Sequence, residues 1–325
     1  MALSVGRDRV DPDMTSDVLT RFSPATADWF RGSFVAPTPA QEGAWEAISS
    51  GHHALVVAPT GSGKTLAAFL WALDRLATGP AAETPRRRCR VLYISPLKAL
   101  AVDVERNLRA PLSGIARGAA AAGTPFHAPR VAIRTGDTPA SERRAFQRAP
   151  ADILITTPES LFLLLTSHAR ERLRAVDTVI VDEIHALVST KRGAHLALSL
   201  ERLATLTGRP IQRVGLSATQ KNLDEIALFL GGHHATRTRS ASAARAVQTP
   251  EAALAAEFAL DAPPTGRPVT IVDARVPKTL AITVDVPIAD MAQVGRATVP
   301  TSGPVTKSPV PTIWMSIHPR LLELI

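Results

Sequence analysis

Six short apolar runs, at residues 54–58, 91–95, 131–135, 153–157, 178–181 and 213–217, constrain this fold more than any other feature. Most are too short for buried helices and are rich in β-branched residues, so they read as buried strands. Helical segments fall between most of them, at 65–77, 99–112, 141–148, 158–165 and 193–206. Strands buried on both faces and alternating with helices imply a parallel sheet covered on each side. Right-handed crossovers then give a doubly wound α/β domain.

The rest of the chain is organised around that domain. Residues 1–21 are polar and aperiodic and read as a disordered arm. Residues 22–50 look helical, with Trp29, Phe30 and Phe34 before a turn at Pro37 and Pro39, then Trp45 and Ile48 at helical spacing. The domain is expected to span 22–232. Residues 233–265 are rich in Ala, Thr, Arg and Ser, a low-complexity insert too poor in large apolar side chains to pack. Apolar alternation at 269–272 and 280–286 predicts strands, and 293–311 is again rich in Pro, Ser, Thr and Gly. Residues 313–325 carry an apolar pattern without a helix cap.

Composition removes several classes of function. Lys and Arg exceed Asp and Glu to give a net charge of +8, which points to a polyanionic partner. The single cysteine, Cys89, excludes an internal disulfide and a multi-cysteine metal site. No apolar run reaches the roughly 18 residues that span a bilayer, so no membrane partner is expected. The first 14 residues mix Arg and Asp without an apolar signal core, and a cytoplasmic location is expected.

Three motifs carry chemistry. Ala58-Pro59-Thr60-Gly61-Ser62-Gly63-Lys64-Thr65 follows an apolar run and opens a helix, the setting of a phosphate loop, although Ala58 stands where the strict pattern has Gly. Its glycines let successive N–H groups turn towards a phosphate, and the helix N-terminus adds its positive end. Lys64 is suited to the β- and γ-phosphates and the Thr65 hydroxyl to Mg²⁺. Asp182-Glu183-Ile184-His185 closes the run at 178–181; Asp182 suits a Mg²⁺ ligand and Glu183 a general base. Ser217-Ala218-Thr219 is uninformative alone, but gains meaning after the other two.

In this order and at these separations, the motifs resemble the first motor domain of a superfamily-two helicase of the DEAH type. The match is denser still to the large helicase-related (Lhr) family of bacterial and archaeal DNA helicases. It is carried by 59–70, 95–103, 181–203 and 215–219, and by patches at 269–275 and 316–325. The resemblance implies a RecA-like fold, ATP and Mg²⁺ as cofactors, and single-stranded DNA or an RNA–DNA hybrid as partner, with links to DNA repair. ATP would be held by Gln41, Thr60, Gly61, Ser62, Gly63, Lys64 and Thr65, with Gln41 reading the adenine edge through its amide. His185, Ser217 and Thr219 would couple the ATP site to the strand. Pro96, Lys98, Arg134, Thr135, Gly136, Thr157, Pro158 and Glu159 would line the strand track. Residues 266–325 would be a linker and the truncated start of a second motor domain, whose arginines and C-terminal modules belong to a longer protein.

Other features have plainer readings. His52, His53, His233 and His234 read as loop histidines rather than metal ligands. Arg86, Arg87, Arg88 and Arg90 suit either a solvated basic loop or nucleic-acid contact, and Arg143, Arg144 and Arg148 stand near the expected track. Trp29 and Phe34 suit packing or adenine stacking. Two functional alternatives remain open. The chain alone is a nucleotide- and DNA-binding module with negligible turnover, or it is a phosphate-loop kinase or GTPase, which DEIH and Gln41 disfavour.

Overall fold

The computed structural model describes residues 17–80, 84, 87–218, 222–233, 265–275 and 314–324. The six expected strands form as β1 (His53–Val57), β2 (Val91–Ile94), β3 (Val131–Arg134), β4 (Ile153–Thr156), β5 (Thr178–Val181) and β6 (Gln212–Ser217). The run expected at 269–272 becomes β7 (Val269–Asp273). All seven lie in one sheet, ordered β3-β4-β2-β5-β6-β1-β7, and every pairing is parallel. The helices are α1 (Pro24–Ser33), α2 (Pro39–Ser49), α3 (Lys64–Thr78), α4 (Lys98–Ala121), α5 (Ala140–Arg148), α6 (Pro158–Leu165), α7 (Lys191–Thr207), α8 (Leu223–Gly231) and α9 (Trp314–Leu324).

Alternation along the strands feeds two cores. Ala54 and Val56 of β1 pack with α2, α3 and α4 on one face, through Ala44, Phe69, Leu73 and Val104. Leu55 and Val57 pack on the other face with α6, α7 and α8, through Leu161, Leu196, Leu200 and Leu230. A smaller cluster joins α1 to α2, α3 and α4 through Phe22, Phe30, Trp45, Leu70 and Ile115. Trp29 is spent on this packing: a Cβ on Gly114 of α4 would lie 2.2 Å from its ring, so only Gly admits it. That contact explains why α4 continues beyond the expected end at 112. Pro111 removes one ladder bond, but burying Ile115 and Ala119 against α1 keeps the helix going.

The first compact unit, Met1–Val276, extends past the expected boundary at 232. The strand at 269–273 pairs with β1, His53 opposite Val269. A charged clamp stands beside this pairing. Arg213 of β6 has a side chain only 4% exposed and bonds Glu201 of α7 at 3.0 Å, while Arg267, just before β7, bonds the same carboxylate at 2.7 and 2.8 Å. Arg213 also donates to the Leu230 and Gly231 carbonyls at the end of α8. The second unit, Pro277–Ile325, contributes α9. Of the arm expected over 1–21, residues 18–21 instead form a 3-10 turn capped by Asp17, because Leu19 is buried in the cluster around α1. Residues 1–16, residues 234–264 of the insert expected at 233–265, the strand expected at 280–286 and the stretch 293–311 lie outside the described residues.

Candidate functional site

The loop after β1 is built to bend around an anion. Gly61 and Gly63 have φ of 83° and 80°, a left-handed conformation that β-carbons disfavour. At Gly63, the N-cap of α3, a Cβ would also lie 2.6 Å from the Gln41 amide nitrogen. Gln41 thus lies against the phosphate loop. Its Oε1 accepts the Thr38 N–H at 2.9 Å, one half of a capping box on α2, and the Thr38 hydroxyl donates to the Ser62 carbonyl at 2.9 Å. The Ser62 hydroxyl donates to Pro59 at 2.7 Å. Lys64 curls into the loop and donates to the carbonyls of Ala58 at 2.6 Å and Pro59 at 2.8 Å. Burial pulls its pKa below the usual lysine value, against the opposing pull of Glu183 and Asp182. Thr60 is exposed at the loop tip, and Thr65 is half-buried in the first turn of α3.

The acidic turn stands at the same sheet edge, two strands from β1. Asp182 is buried, its Oδ1 accepting the Glu183 N–H at 2.9 Å and its Oδ2 accepting the Tyr93 hydroxyl. Among the described residues, Glu183 is the one non-glycine with positive φ, at 44°. Such strain costs on the order of 1 kcal/mol and gathers at functional sites. Glu183 Oε2 lies 3.4 Å from His185 Nδ1, which accepts the Ala218 N–H at 3.3 Å and lies 3.3 Å from Ser217 Oγ. The Ala58 N–H donates to the Ser217 carbonyl at 3.2 Å, tying the phosphate loop to β6. Thr219 lies outside the described residues.

Strand order divides this edge in two. β5, β6 and β1 carry the acidic turn, Ser217 and the phosphate loop, while β3, β4 and β2 carry the expected strand-track residues. The second half is knitted together. Lys98 pairs with Asp137 at 2.7 Å, and Arg143 donates to the Gly136 and Thr138 carbonyls at 2.7 Å each. The Thr135 N–H bonds the Thr138 hydroxyl at 2.8 Å. Thr157 caps α6, with Pro158 and Glu159 in its first turn. Burial and the Arg143 charge depress the Arg134 pKa, and its Nη1 is buried without a hydrogen-bond partner. No cluster of three or more metal-binding side chains occurs among the described residues.

Three participants escape the sequence reading. Arg192 of α7 bonds Glu159 at 2.6 Å and the Pro96 carbonyl at 3.0 Å, linking the loop after β2 and the start of α6 to the helix that follows the acidic turn. Burial opposes the charge of Glu159, but the bond from Arg192 holds its carboxyl below the usual range. Gly193 seats α7 on that turn: a Cβ there would lie 2.0 Å from the Leu187 carbonyl oxygen. Tyr93 lies within an apolar run that hid its hydroxyl; a buried tyrosine ordinarily needs a partner for that group, which was the available signal. The Thr38–Gln41 capping box was also legible as Thr-x-x-Gln.

A parallel sheet that turns a phosphate loop out of β1 and an acidic pair out of β5 defines the RecA-like P-loop class. Within it, the family model described as DEAD/DEAH box helicase matches residues 38–226, more than half of the sequence, and the chain belongs to that family. The chain is similar to the Lhr helicase/probable uracil glycosylase of Mycolicibacterium smegmatis, 49% identical over 310 residues, 95% of this chain and 17% of that protein. It is 56% identical over 226 residues to the Lhr helicase/uracil glycosylase of Escherichia coli, covering 68% of this chain and 15% of that protein. A solved structure of Mycobacterium smegmatis helicase Lhr bound to ssDNA and AMP-PNP matches with a TM-score of 0.69, over 95% of this chain and 33% of that one. These matches bear out the Lhr resemblance, and the chain spans about one sixth of the length of these curated relatives. Among the described residues, no helix is long and apolar enough to cross a membrane.

Proposed function

We propose that this chain is the ATP-binding, strand-gripping part of a longer Lhr-type helicase, a cytoplasmic motor acting on single-stranded DNA or RNA–DNA hybrids in DNA repair. The observation that carries this reading is the convergence of Lys64, Asp182 and Glu183 on one sheet edge, with the Glu183–His185–Ser217 contacts beside them. Thr65 and Asp182 offer only hard oxygens, the donor set Mg²⁺ takes when phosphates and water complete its shell. Mg²⁺, when bound, neutralises charge on the transferred phosphates. Lys64 leaves the Ala58 and Pro59 carbonyls for the β- and γ-phosphates, whose oxygens also meet the N–H groups of 61–65. Glu183 orients water for in-line attack and takes its proton. His185 and Ser217 carry the state of Glu183 to β6 and the loop after it.

Strand binding rests on the loops after β2, β3 and β4. The partnerless Arg134 nitrogen supports phosphate contact there, because a charged N–H group withdrawn from water gains from an anionic partner. Such contacts read backbone, so affinity falls steeply with salt. Arg192→Ala frees the Glu159 carboxylate beside the strand. The expected result is a loss of about fivefold in affinity for single-stranded DNA, as befits an exposed ion pair. Fluorescence anisotropy over a salt series measures it, and unchanged affinity would remove Glu159 from the track.

We also propose that the chain alone turns over ATP negligibly. Two-domain motors complete the transition state with arginines worth roughly 10³–10⁵ in rate, and the described residues form one sheet. The test compares ATP binding and hydrolysis, with and without single-stranded DNA, in this chain and in Glu183→Gln. Tight binding with background turnover in both supports the module reading. DNA-stimulated turnover that Glu183→Gln lowers by about 10²–10⁴ makes the chain an enzyme in its own right.

A further inference from the structure

We propose that Tyr93 is a positioning residue that holds the Asp182 carboxylate in the orientation required to bind the Mg²⁺ of a Mg·nucleotide complex. This rests on the reading of Asp182 as a metal ligand given above. Asp182 is 9% exposed, and its two oxygens are each held by a different donor, Oδ1 by the Glu183 N–H and Oδ2 by the Tyr93 hydroxyl. One bond to each oxygen opposes rotation of the carboxylate and still leaves each a lone pair for a metal or its water.

Tyr93 is itself fixed. It is fully buried in β2, in register with Ile180 of β5, and its ring stacks on Phe69 with centroids 4.9 Å apart and planes at 28°. Phe69 lies four residues after Thr65 on α3, so the two share a helix face. The phenol is therefore wedged between the helix that carries one expected metal donor and the strand end that carries the other. Partners of this kind, one shell out from a metal, typically contribute about 10–100-fold to metal affinity or activity.

Tyr93 is also the single tyrosine of the chain, so any tyrosine signal reports on this one hydroxyl. The experiment has two arms, both on the full chain. In the first, a fluorescent ATP analogue is bound at increasing Mg²⁺ to wild type, Tyr93→Phe and Asp182→Asn. The Phe variant keeps the ring stack and removes only the hydroxyl. The expected result is a Mg²⁺ requirement raised by about 10–100-fold in Tyr93→Phe, with metal-free nucleotide affinity unchanged. In the second, wild type carrying isotope-labelled tyrosine is followed by NMR. With the label at the ring ζ-carbon alone, the single resonance is expected to move when AMP-PNP is added with Mg²⁺ and to stay when it is added with EDTA. The NMR arm does not depend on any variant folding.

A Mg²⁺ requirement in Tyr93→Phe equal to wild type, while Asp182→Asn loses Mg²⁺ dependence, overturns the role of Tyr93 and leaves Asp182 as a ligand. An unchanged requirement in both variants overturns the metal reading and the proposal together. A tyrosine resonance that ignores Mg·AMP-PNP overturns the proposal.

Discussion

Lys64→Ala is expected to reduce ATP affinity on the order of 10²–10⁴-fold. Two charge-assisted hydrogen bonds to phosphate contribute about 1.5–3 kcal/mol each, and every 1.4 kcal/mol is about tenfold in affinity. The substitution also strips the Ala58 and Pro59 carbonyls of their donor, which loosens the loop before any ligand arrives. Part of the loss therefore belongs to the free protein, and Lys64→Met, which restores the apolar stem, should recover some loop order but little affinity. Equilibrium titration of a fluorescent nucleotide measures both variants. An affinity for Lys64→Ala close to wild type would mean that phosphate is bound elsewhere.

Glu201→Gln is expected to lower stability substantially. It leaves the nearly inaccessible guanidinium of Arg213 without its counter-charge and weakens the hold of Arg267. Removing one partner of a buried pair costs about 3 kcal/mol, near the low end of the usual range because Glu201 itself is 41% exposed. For a domain of this size that is a fall of roughly 10 °C in melting temperature. The pH dependence gives a second check. Burial disfavours the charge of Glu201, but its bonds from Arg267 and Arg213 outweigh that and hold its carboxyl below the usual range. A depressed carboxyl stabilises the fold above its unfolded-state pKa, and the gain is lost as pH falls through the folded value. The gap between wild type and Glu201→Gln should be full at neutral pH and close on acidification below about 4. A gap that persisted in acid would point to packing rather than charge.

What the sequence disclosed follows from how local each signal is. Strands buried on both faces, such as 91–94 and 153–156, have no choice but to be continuously apolar, so they are legible without any knowledge of their neighbours. The phosphate loop is legible because its glycines, lysine and helix start are contiguous. Glu201, Arg213 and Arg267 are as ordinary as surface charges until the fold brings 66 positions of separation down to 2.7 Å. That is why β7 is visible as a strand but its sheet is not. Tyr93 is hidden for the opposite reason: it obeys the strand pattern, and only the partner of its hydroxyl sets it apart. The extension of α4 past 112 is hidden for a related reason, since it rests on the burial of Ile115 and Ala119 against α1.

The position of β1 has a consequence for how the molecule comes into being. It is the first of the described strands in sequence, yet its two neighbours in the sheet, β6 and β7, are the last two of them. On a ribosome, residues 53–57 emerge with both edges unpaired and wait for 212–217, and then for 269–273, before either edge is closed. Contacts this distant in sequence form slowly, and exposed strand edges invite wrong partners in the interval. The nascent chain therefore carries a strand destined for burial as a long-lived vulnerability. The loop that follows it gains its tie to Ser217 only when that residue has been synthesised. The order of translation thus delays the anchoring of this loop until most of the sheet exists, and a chain stalled between β5 and β6 would hold the Asp182 and Glu183 carboxylates but no anchored loop for them to face.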